Sequence, residues 1–307
     1  MSVLIMASIL VVEKIDPEAV AALKKSHTVV EFLEWQPADL LKKVADFDVI
    51  VVRSKAQVGK ALIDAGKKLK VIARAGAGLD NVDAKYAESK GIKVINTPTA
   101  NLLSVAELTL GLALALLRHI SEADKTTKAG LWEKKRFEGC EVSGKTWGII
   151  GFGKIGHLVA GLLSGFKCRV IAYDPYMNKE AVASVGVTPV SFEELLKSSD
   201  IISIHVPLVD ATRGMVGAKE LGMMKKSAII INTSRGGIVQ EKALHDVLAQ
   251  KKILGAALDV FEKEPPGDSP LFKLDNLLVT CHLGASTNEA QKRVGTELTE
   301  KLLKALV

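Results

Sequence analysis

Short runs of β-branched residues recur along the chain, each separated from the next by a stretch with helical spacing, and the pattern then starts over. In the first hundred residues the runs fall at 8–12, 28–32, 48–52, 70–74 and 92–95, with helix-like stretches at 17–25, 37–45 and 82–90. Runs of continuous Val and Ile are buried on both faces, which calls for a parallel sheet covered by helices on each side. Asp16 followed by Pro17 fits an N-cap and a first helical position. A second round of runs follows at 146–151, 169–173, 200–205, 228–232, 255–259 and 277–280. The expected fold class is α/β, with two doubly wound parallel-sheet domains. At 307 residues the chain is long enough to bury both cores.

Residues 101–119 read as one long helix between the rounds, with Ser104 and Glu107 spaced as a capping box. Its surface is apolar nearly all round, so burial between the domains is expected. A polar, lysine-rich loop at 125–144 follows, with Leu131, Trp132 and Phe137 embedded in it. The amphipathic stretch 288–306 reads as a helix that returns to the first domain. The expected boundaries are 1–99 plus 286–307 for one domain and 100–285 for the other.

Composition narrows the function classes. Apolar residues at 48% exclude a disordered chain, and aromatics at 5% argue against stacking platforms for single-stranded nucleic acid. The net charge of +6 could suggest nucleic acid, but the lysines are spread along the chain and an enzyme that handles anionic metabolites explains it equally well, so no nucleic-acid partner is expected. Cys140, Cys168 and Cys281 form neither a CxxC pair nor an even set, so a reducing compartment and no structural metal are expected. The apolar start, 1–12, lacks a basic leader and reads as a buried strand. The apolar stretch 102–117 carries Glu107 and falls short of the roughly 20 residues of a membrane span. A soluble, cytoplasmic protein without a membrane partner is the expectation.

The most specific motif is Gly151-Phe-Gly153-Lys154-Ile155-Gly156, which follows a strand and opens a helix. Gly151 permits the tight turn, Gly153 lets the backbone approach a pyrophosphate, and Gly156 lets helix and strand pack closely. The helix start adds unpaired N–H groups and partial positive charge. Asp174 ends the next strand, close to the roughly 20-residue offset expected of the acid that binds ribose hydroxyls. A carboxylate there attracts a 2′-hydroxyl and repels a 2′-phosphate, so NAD is favoured over NADP.

Arg235, Glu264 and His282 follow three later strands, where an open parallel sheet places its ligands. Oxidising an alcohol needs a base, a partner that orients it and a cation for a substrate carboxylate. His titrates in the useful range, a carboxylate fixes its tautomer, and Arg grips a carboxylate with two prongs.

These stretches, with Thr233-Ser234-Arg235-Gly-Gly, Asp259-Val-Phe-Glu-Lys-Glu264-Pro-Pro and His282-Leu-Gly284-Ala-Ser-Thr, resemble the D-isomer-specific 2-hydroxyacid dehydrogenases. The resemblance continues through Val52-Arg53-Ser54, Arg74-Ala75-Gly76-Ala-Gly-Leu-Asp80 and Ser104-Val-Ala-Glu107, and covers nearly the whole chain. It implies a Rossmann NAD-binding domain inserted into a flavodoxin-like substrate domain. By the same resemblance Arg235 would hold the carboxylate and carbonyl of the 2-oxo acid, His282 would move the proton, and Glu264 would hydrogen-bond His282. Asp259 would help seat the nicotinamide. Gly151, Gly153, Lys154, Ile155, Gly156 and Asp174 would hold the rest of NAD, with His205, Val206 and Pro207 on the adenosine side and Thr233, Ser234 and Gly284 alongside. His205 is expected to be structural.

The first-domain details most resemble members that oxidise 3-phospho-D-glycerate, which implies a phosphorylated 2-hydroxy acid held by Arg53, Ser54, Arg74, Ala75, Gly76 and Asn101 together with Arg235 and His282. Lys55 adds to this cationic rim, since guanidinium and ammonium groups neutralise phosphate directly. The loop with Trp132, Lys134, Lys135 and Arg136 would reach across the interface of a homodimer or larger homo-oligomer. Longer members carry a C-terminal regulatory domain that senses serine; this sequence ends after the return helix, so no serine feedback is expected. The alternatives are a glyoxylate or hydroxypyruvate reductase and, from another class, a non-catalytic NAD-sensing co-repressor-like protein.

Overall fold

In the computed structural model, which describes residues 6–306, both rounds of strands form parallel sheets. The chain divides into two units, Met1–Asn101 with Ala285–Val307, and Leu102–Gly284. In the first, β1 (Ser8–Val11), β2 (Thr28–Glu31), β3 (Val49–Val52), β4 (Val71–Arg74) and β5 (Lys93–Asn96) lie in the order β2-β1-β3-β4-β5. Every neighbouring pair is parallel. The two-residue alternation of a strand then sorts the core. Ile9, Val11, Val49, Val51 and Val71 face α1 (Pro17–Leu23) and the C-terminal helix (Asn288–Ala305), meeting Leu23, Leu298 and Leu302. Leu10, Ile50, Val52 and Ile72 face the other way, against Leu40 of α2 (Pro37–Lys43), Leu62 and Ile63 of α3 (Lys60–Ala65) and Ala87 of α4 (Ala84–Ser89). Each such buried side chain contributes about 1.5–3 kcal/mol, which is why the strands are short and still stable.

Asp16 caps α1 by accepting from the N–H groups of Glu18 at 2.8 Å and Ala19 at 3.3 Å, with Pro17 at the first helical position. Asp48 fastens the N-terminal edge of the sheet. Its carboxylate accepts from Ser8 N (2.9 Å) and Ser8 Oγ (2.8 Å) and pairs with Lys70 Nζ (2.9 Å). Burial alone would raise the Asp48 pKa, but the bonds from Ser8 and Lys70 outweigh it and hold the carboxyl at about 2.

The second unit opens with α5 (Leu102–Leu117) and α6 (Ile120–Lys128). Then follow β6 (Thr146–Ile150), α7 (Lys154–Leu163), β7 (Arg169–Tyr173), α8 (Lys179–Ser184), β8 (Thr188–Pro189), α9 (Phe192–Ser198) and β9 (Ile201–Ile204). The last elements are α10 (Ala218–Leu221), β10 (Ile229–Asn232), α11 (Glu241–Ala249), β11 (Gly255–Leu258) and β12 (Leu277–Val279). The seven strands are ordered β12-β11-β10-β9-β6-β7-β8, so the order reverses at β6. Ile149, Ala172, Ile229 and Ile231 pack with α5 and α7 on one face, while Ile150, Ile202, Ile204 and Ile230 pack with α9 and α11 on the other. The fully buried Trp147 keeps its indole N–H satisfied through Ser203 Oγ at 2.9 Å.

Several local expectations are corrected. The long helix begins at Leu102, so Ser104 lies inside its first turn instead of capping it. It ends at Leu117, and His119, in the left-handed region at φ 53°, turns the chain into α6. Residues 125–128 are therefore helical, supported by the Lys128–Asp124 pair at 2.8 Å. The helix α3 and the two-residue edge strand β8 were not legible as elements. Among the described residues no single helix is long and apolar enough to cross a membrane. The reading of the chain's first five residues as strand lies outside the described residues. Cys140, Cys168 and Cys281 are unpaired thiols.

Candidate active site

The glycine loop sits at the C-terminal end of β6, where the strand order reverses. Gly151 has φ +90°, and a Cβ there would come within 2.7 Å of the His205 carbonyl oxygen, so both the turn and the packing require glycine. A Cβ at Gly156 would meet the Gly151 carbonyl at 2.5 Å, which sets how closely α7 lies on the strand. Gly153 caps α7 and has nothing within 4 Å of its Cβ direction, so its backbone can be closely approached at the helix start, where Lys154 is exposed and Ile155 half-buried. Asp174 ends β7. Its carboxylate accepts from Phe152 N at 3.0 Å and Tyr176 N at 2.8 Å, which orients it beside the loop with further lone pairs to offer.

His205 directly follows β9, and its backbone N–H donates to Ile150 O at 2.7 Å. The residue as a whole is only half-buried, yet both ring nitrogens are covered and lack a hydrogen-bond partner. Burial drives the pKa down to about 3, so the ring is neutral. Val206 packs against Gly151, and Pro207 is exposed. An open glycine cradle at a helix start, an oriented acid at the next strand end and an unpartnered ring beside them fit a dinucleotide. Gly151, Gly153, Lys154, Ile155, Gly156 and Asp174 are the residues that would hold it.

Arg235, Glu264 and His282 follow β10, β11 and β12, three adjacent strands of the same sheet. After β10, Asn232 Oδ1 accepts from the N–H (3.1 Å) and Oγ (2.7 Å) of Ser234, and Thr233 Oγ1 lies 2.9 Å from Thr109 Oγ1 of α5. Arg235 donates one guanidinium N–H to Ser234 O at 2.7 Å. A side chain at Gly236 would collide with the Phe261 backbone, so glycine is what lets the Arg235 loop lie against the Glu264 loop. A reciprocal clasp joins the same two loops: Glu241 N donates to Glu262 Oε1 at 3.0 Å and Glu262 N to Glu241 Oε1 at 2.6 Å.

His282 Nδ1 is 2.7 Å from Glu264 Oε2, and Glu264 Oε1 accepts from Phe261 N at 3.1 Å. The Glu264 bond raises the His282 pKa, burial opposing it in part. Burial pushes Glu264 up, but His282 outweighs that and the carboxyl ends below its usual range. The two shifts together favour the imidazolium–carboxylate form of the pair. Fully buried Asp259 builds the loop beneath. Its carboxylate accepts from Thr280 Oγ1 (2.6 Å), Leu283 N (2.6 Å) and Gly284 N (2.9 Å), and its carbonyl from His282 N (2.9 Å). This web holds His282 in the left-handed region at φ 58°. The roles of Asp259 toward His282, and of Glu241 and Glu262, were not legible in the sequence. Acids just past strand ends or opening a helix were the available signal.

The remaining predicted residues belong to the five-stranded unit. Arg53 and Ser54 follow β3, and the Arg53 guanidinium donates to Lys14 O at 3.1 Å. Arg74 ends β4 and lies against Gly76, whose φ of +147° and missing side chain make room for the guanidinium. Ala75 and Gly76 are buried, and Asn101 is half-buried. Lys55 Nζ sits 4.9 Å from the centre of the Trp35 ring. In the basic loop of the larger unit Trp132 is 85% exposed, while Arg136 is engaged by Glu133 at 3.0 Å and Glu122 at 3.6 Å.

Residues 110–284 match the sequence profile of the NAD binding domain of the D-isomer specific 2-hydroxyacid dehydrogenases. A D-3-phosphoglycerate dehydrogenase of Methanocaldococcus jannaschii is 47% identical over 98% of this chain, which spans 58% of that relative's length. A hydroxypyruvate reductase of Thermotoga maritima is also 47% identical, over 96% of both chains. A glyoxylate reductase structure from Paecilomyes thermophila superposes with a TM-score of 0.88 at 30% identity, covering 98% of this chain and 95% of that one. The chain belongs to the D-isomer specific 2-hydroxyacid dehydrogenase family, and residues 110–284 are its NAD binding domain.

Proposed function

We propose that the chain catalyses NAD-linked oxidation of 3-phospho-D-glycerate to 3-phosphohydroxypyruvate. The observation that carries the chemistry is the 2.7 Å contact of His282 Nδ1 with Glu264 on the sheet edge that also bears the Gly151 loop and Arg235. NAD bound at that loop supplies the hydride acceptor. With Nδ1–H given to the carboxylate, His282 Nε2 carries the lone pair that takes the proton of the C2 hydroxyl. Glu264 stabilises the imidazolium that results. Arg235 grips the substrate carboxylate and polarises the developing carbonyl. C2 thereby loses a hydride and its oxygen loses a proton, leaving the 2-oxo acid.

Support for a phosphorylated substrate comes from Arg53, Arg74 and Lys55 on the loops of the five-stranded unit, and from the Methanocaldococcus relative's name. The Thermotoga relative favours a second reading, a hydroxypyruvate or glyoxylate reductase, because it is equally similar and matches 96% of its own length. A substrate panel followed by NADH absorbance separates them. The phosphorylated acid is expected to have the highest kcat/KM; a higher value for glyoxylate or unphosphorylated hydroxypyruvate contradicts the proposal. The same reading makes the enzyme a cytoplasmic homodimer or larger homo-oligomer, which light scattering and fractionation check.

A further inference from the structure

We propose that Glu13 is a positioning residue that holds residues 53–56, and with them Arg53 and Ser54, in the shape that takes the anionic end of the substrate; the proposal rests on the substrate reading above. Glu13 lies two residues beyond β1, beside the loop that leaves β3. These strands pair in parallel, Val11 against Val51, where the order of the five-stranded sheet reverses. In open α/β sheets that crevice, outside the C-terminal strand ends, is where ligands bind.

Four consecutive backbone N–H groups converge there on one carboxylate. Glu13 Oε1 accepts from Arg53 N (2.8 Å) and Ala56 N (3.0 Å), and Oε2 from Ser54 N (3.2 Å) and Lys55 N (2.9 Å). Convergent amides of this kind form an anion-binding nest, and bonds to an ionised acceptor are about twice as strong as neutral ones. Here the chain's own side chain fills the nest. An incoming carboxylate or phosphate is therefore left to the loop's side chains and not to its amides.

The carbonyls of the same loop are tied as well. Asn81 Nδ2 donates to Arg53 O at 2.9 Å and to Ala56 O at 2.7 Å, while Arg53 itself donates to Lys14 O, the residue after Glu13. Residues 53–56 belong to neither helix nor strand, so these side chains replace the missing backbone ladder. Glu13 acts on the substrate only through the loop that it shapes.

The test compares wild type with Glu13→Gln and Glu13→Ala. Hydrogen exchange read at the amides of residues 53–56 is expected to quicken by about 10²-fold in both variants, since their acceptor is weakened or gone. KM for 3-phosphoglycerate is expected to rise about 10-fold while kcat and the KM for NAD stay within about 3-fold, the pattern of lost ground-state binding. Adding Arg53→Ala to Glu13→Gln is expected to raise KM no further than Arg53→Ala alone, because the two act in series. Unchanged exchange at these amides, or equal losses in kcat and in both KM values, overturns the proposal. A wild type that ignores 3-phosphoglycerate but turns over another 2-hydroxy acid overturns the substrate reading alone, and the Glu13 comparison then runs on that acid with the same deciding outcomes.

Discussion

At the C-terminal edge of the seven-stranded sheet, the side chain proposed to move the proton is held by another side chain: His282 leans on Glu264 at 2.7 Å, above a loop built on buried Asp259. At the matching edge of the five-stranded sheet, side chains hold backbone instead. Glu13 takes four amides, Asn81 takes two carbonyls, and Arg53 takes the carbonyl of Lys14. Both edges arise from the same parallel strand-and-loop geometry, so the contrast reflects the different task proposed for each. Proton transfer depends on orientation and on which group carries charge, and a charged partner controls both. Anion binding depends on where donors stand, and a fixed loop controls that.

The largest expected effect falls on the catalytic edge. His282→Asn should lower kcat by about 10²–10⁴ while NADH binding, read by fluorescence, stays near normal. Retained turnover would remove His282 from the chemistry and erase the contrast between the edges. Arg235→Lys keeps the charge but loses the two-pronged grip, so a drop of about 10²-fold in kcat/KM, shared between KM and kcat, is expected. A change confined to KM would make Arg235 a pure binding residue, like those proposed on the other edge.

A smaller effect separates scaffold from site. Asp48 lies at the opposite end of the five-stranded sheet from Glu13, with 20% of its side chain exposed and a pKa of about 2. A carboxyl whose pKa is lowered on folding stabilises the fold above its unfolded pKa and loses that contribution as pH falls through its folded one. Asp48→Asn should therefore cost about 2 kcal/mol at pH 7 by denaturant unfolding, and progressively less between about pH 4 and pH 2. Saturated turnover at neutral pH should be unchanged.

The strands were legible because continuous Val and Ile at strand length can satisfy only a sheet buried on both faces. The glycine loop, Asp174, Arg235, Glu264 and His282 stood out because each sits at a strand end. What escaped were elements without such a signature. Helix α3 follows Gly59, which offers no side-chain cap, and lasts under two turns, and β8 is two residues with Pro189 on the sheet's edge. Ser104 misled because a capping-box spacing also occurs inside a helix whose true start is set by packing. The couplings that shape the sites were hidden for another reason. Glu13 bonds amides 40–43 residues away and Asp259 a loop 21–25 residues on, so only the strand order brings them together.

The pH dependence of kcat/KM for hydroxy-acid oxidation, compared between wild type and Glu264→Gln, tests the catalytic edge most directly. In the proposed mechanism oxidation needs neutral His282, so activity should rise with pH through its pKa, which the Glu264 bond holds above the ordinary histidine value of 6.5. Removing the carboxylate should move that acid limb to lower pH while depressing the plateau. Superimposable profiles in the two proteins would contradict a proton-transferring His282 tuned by Glu264.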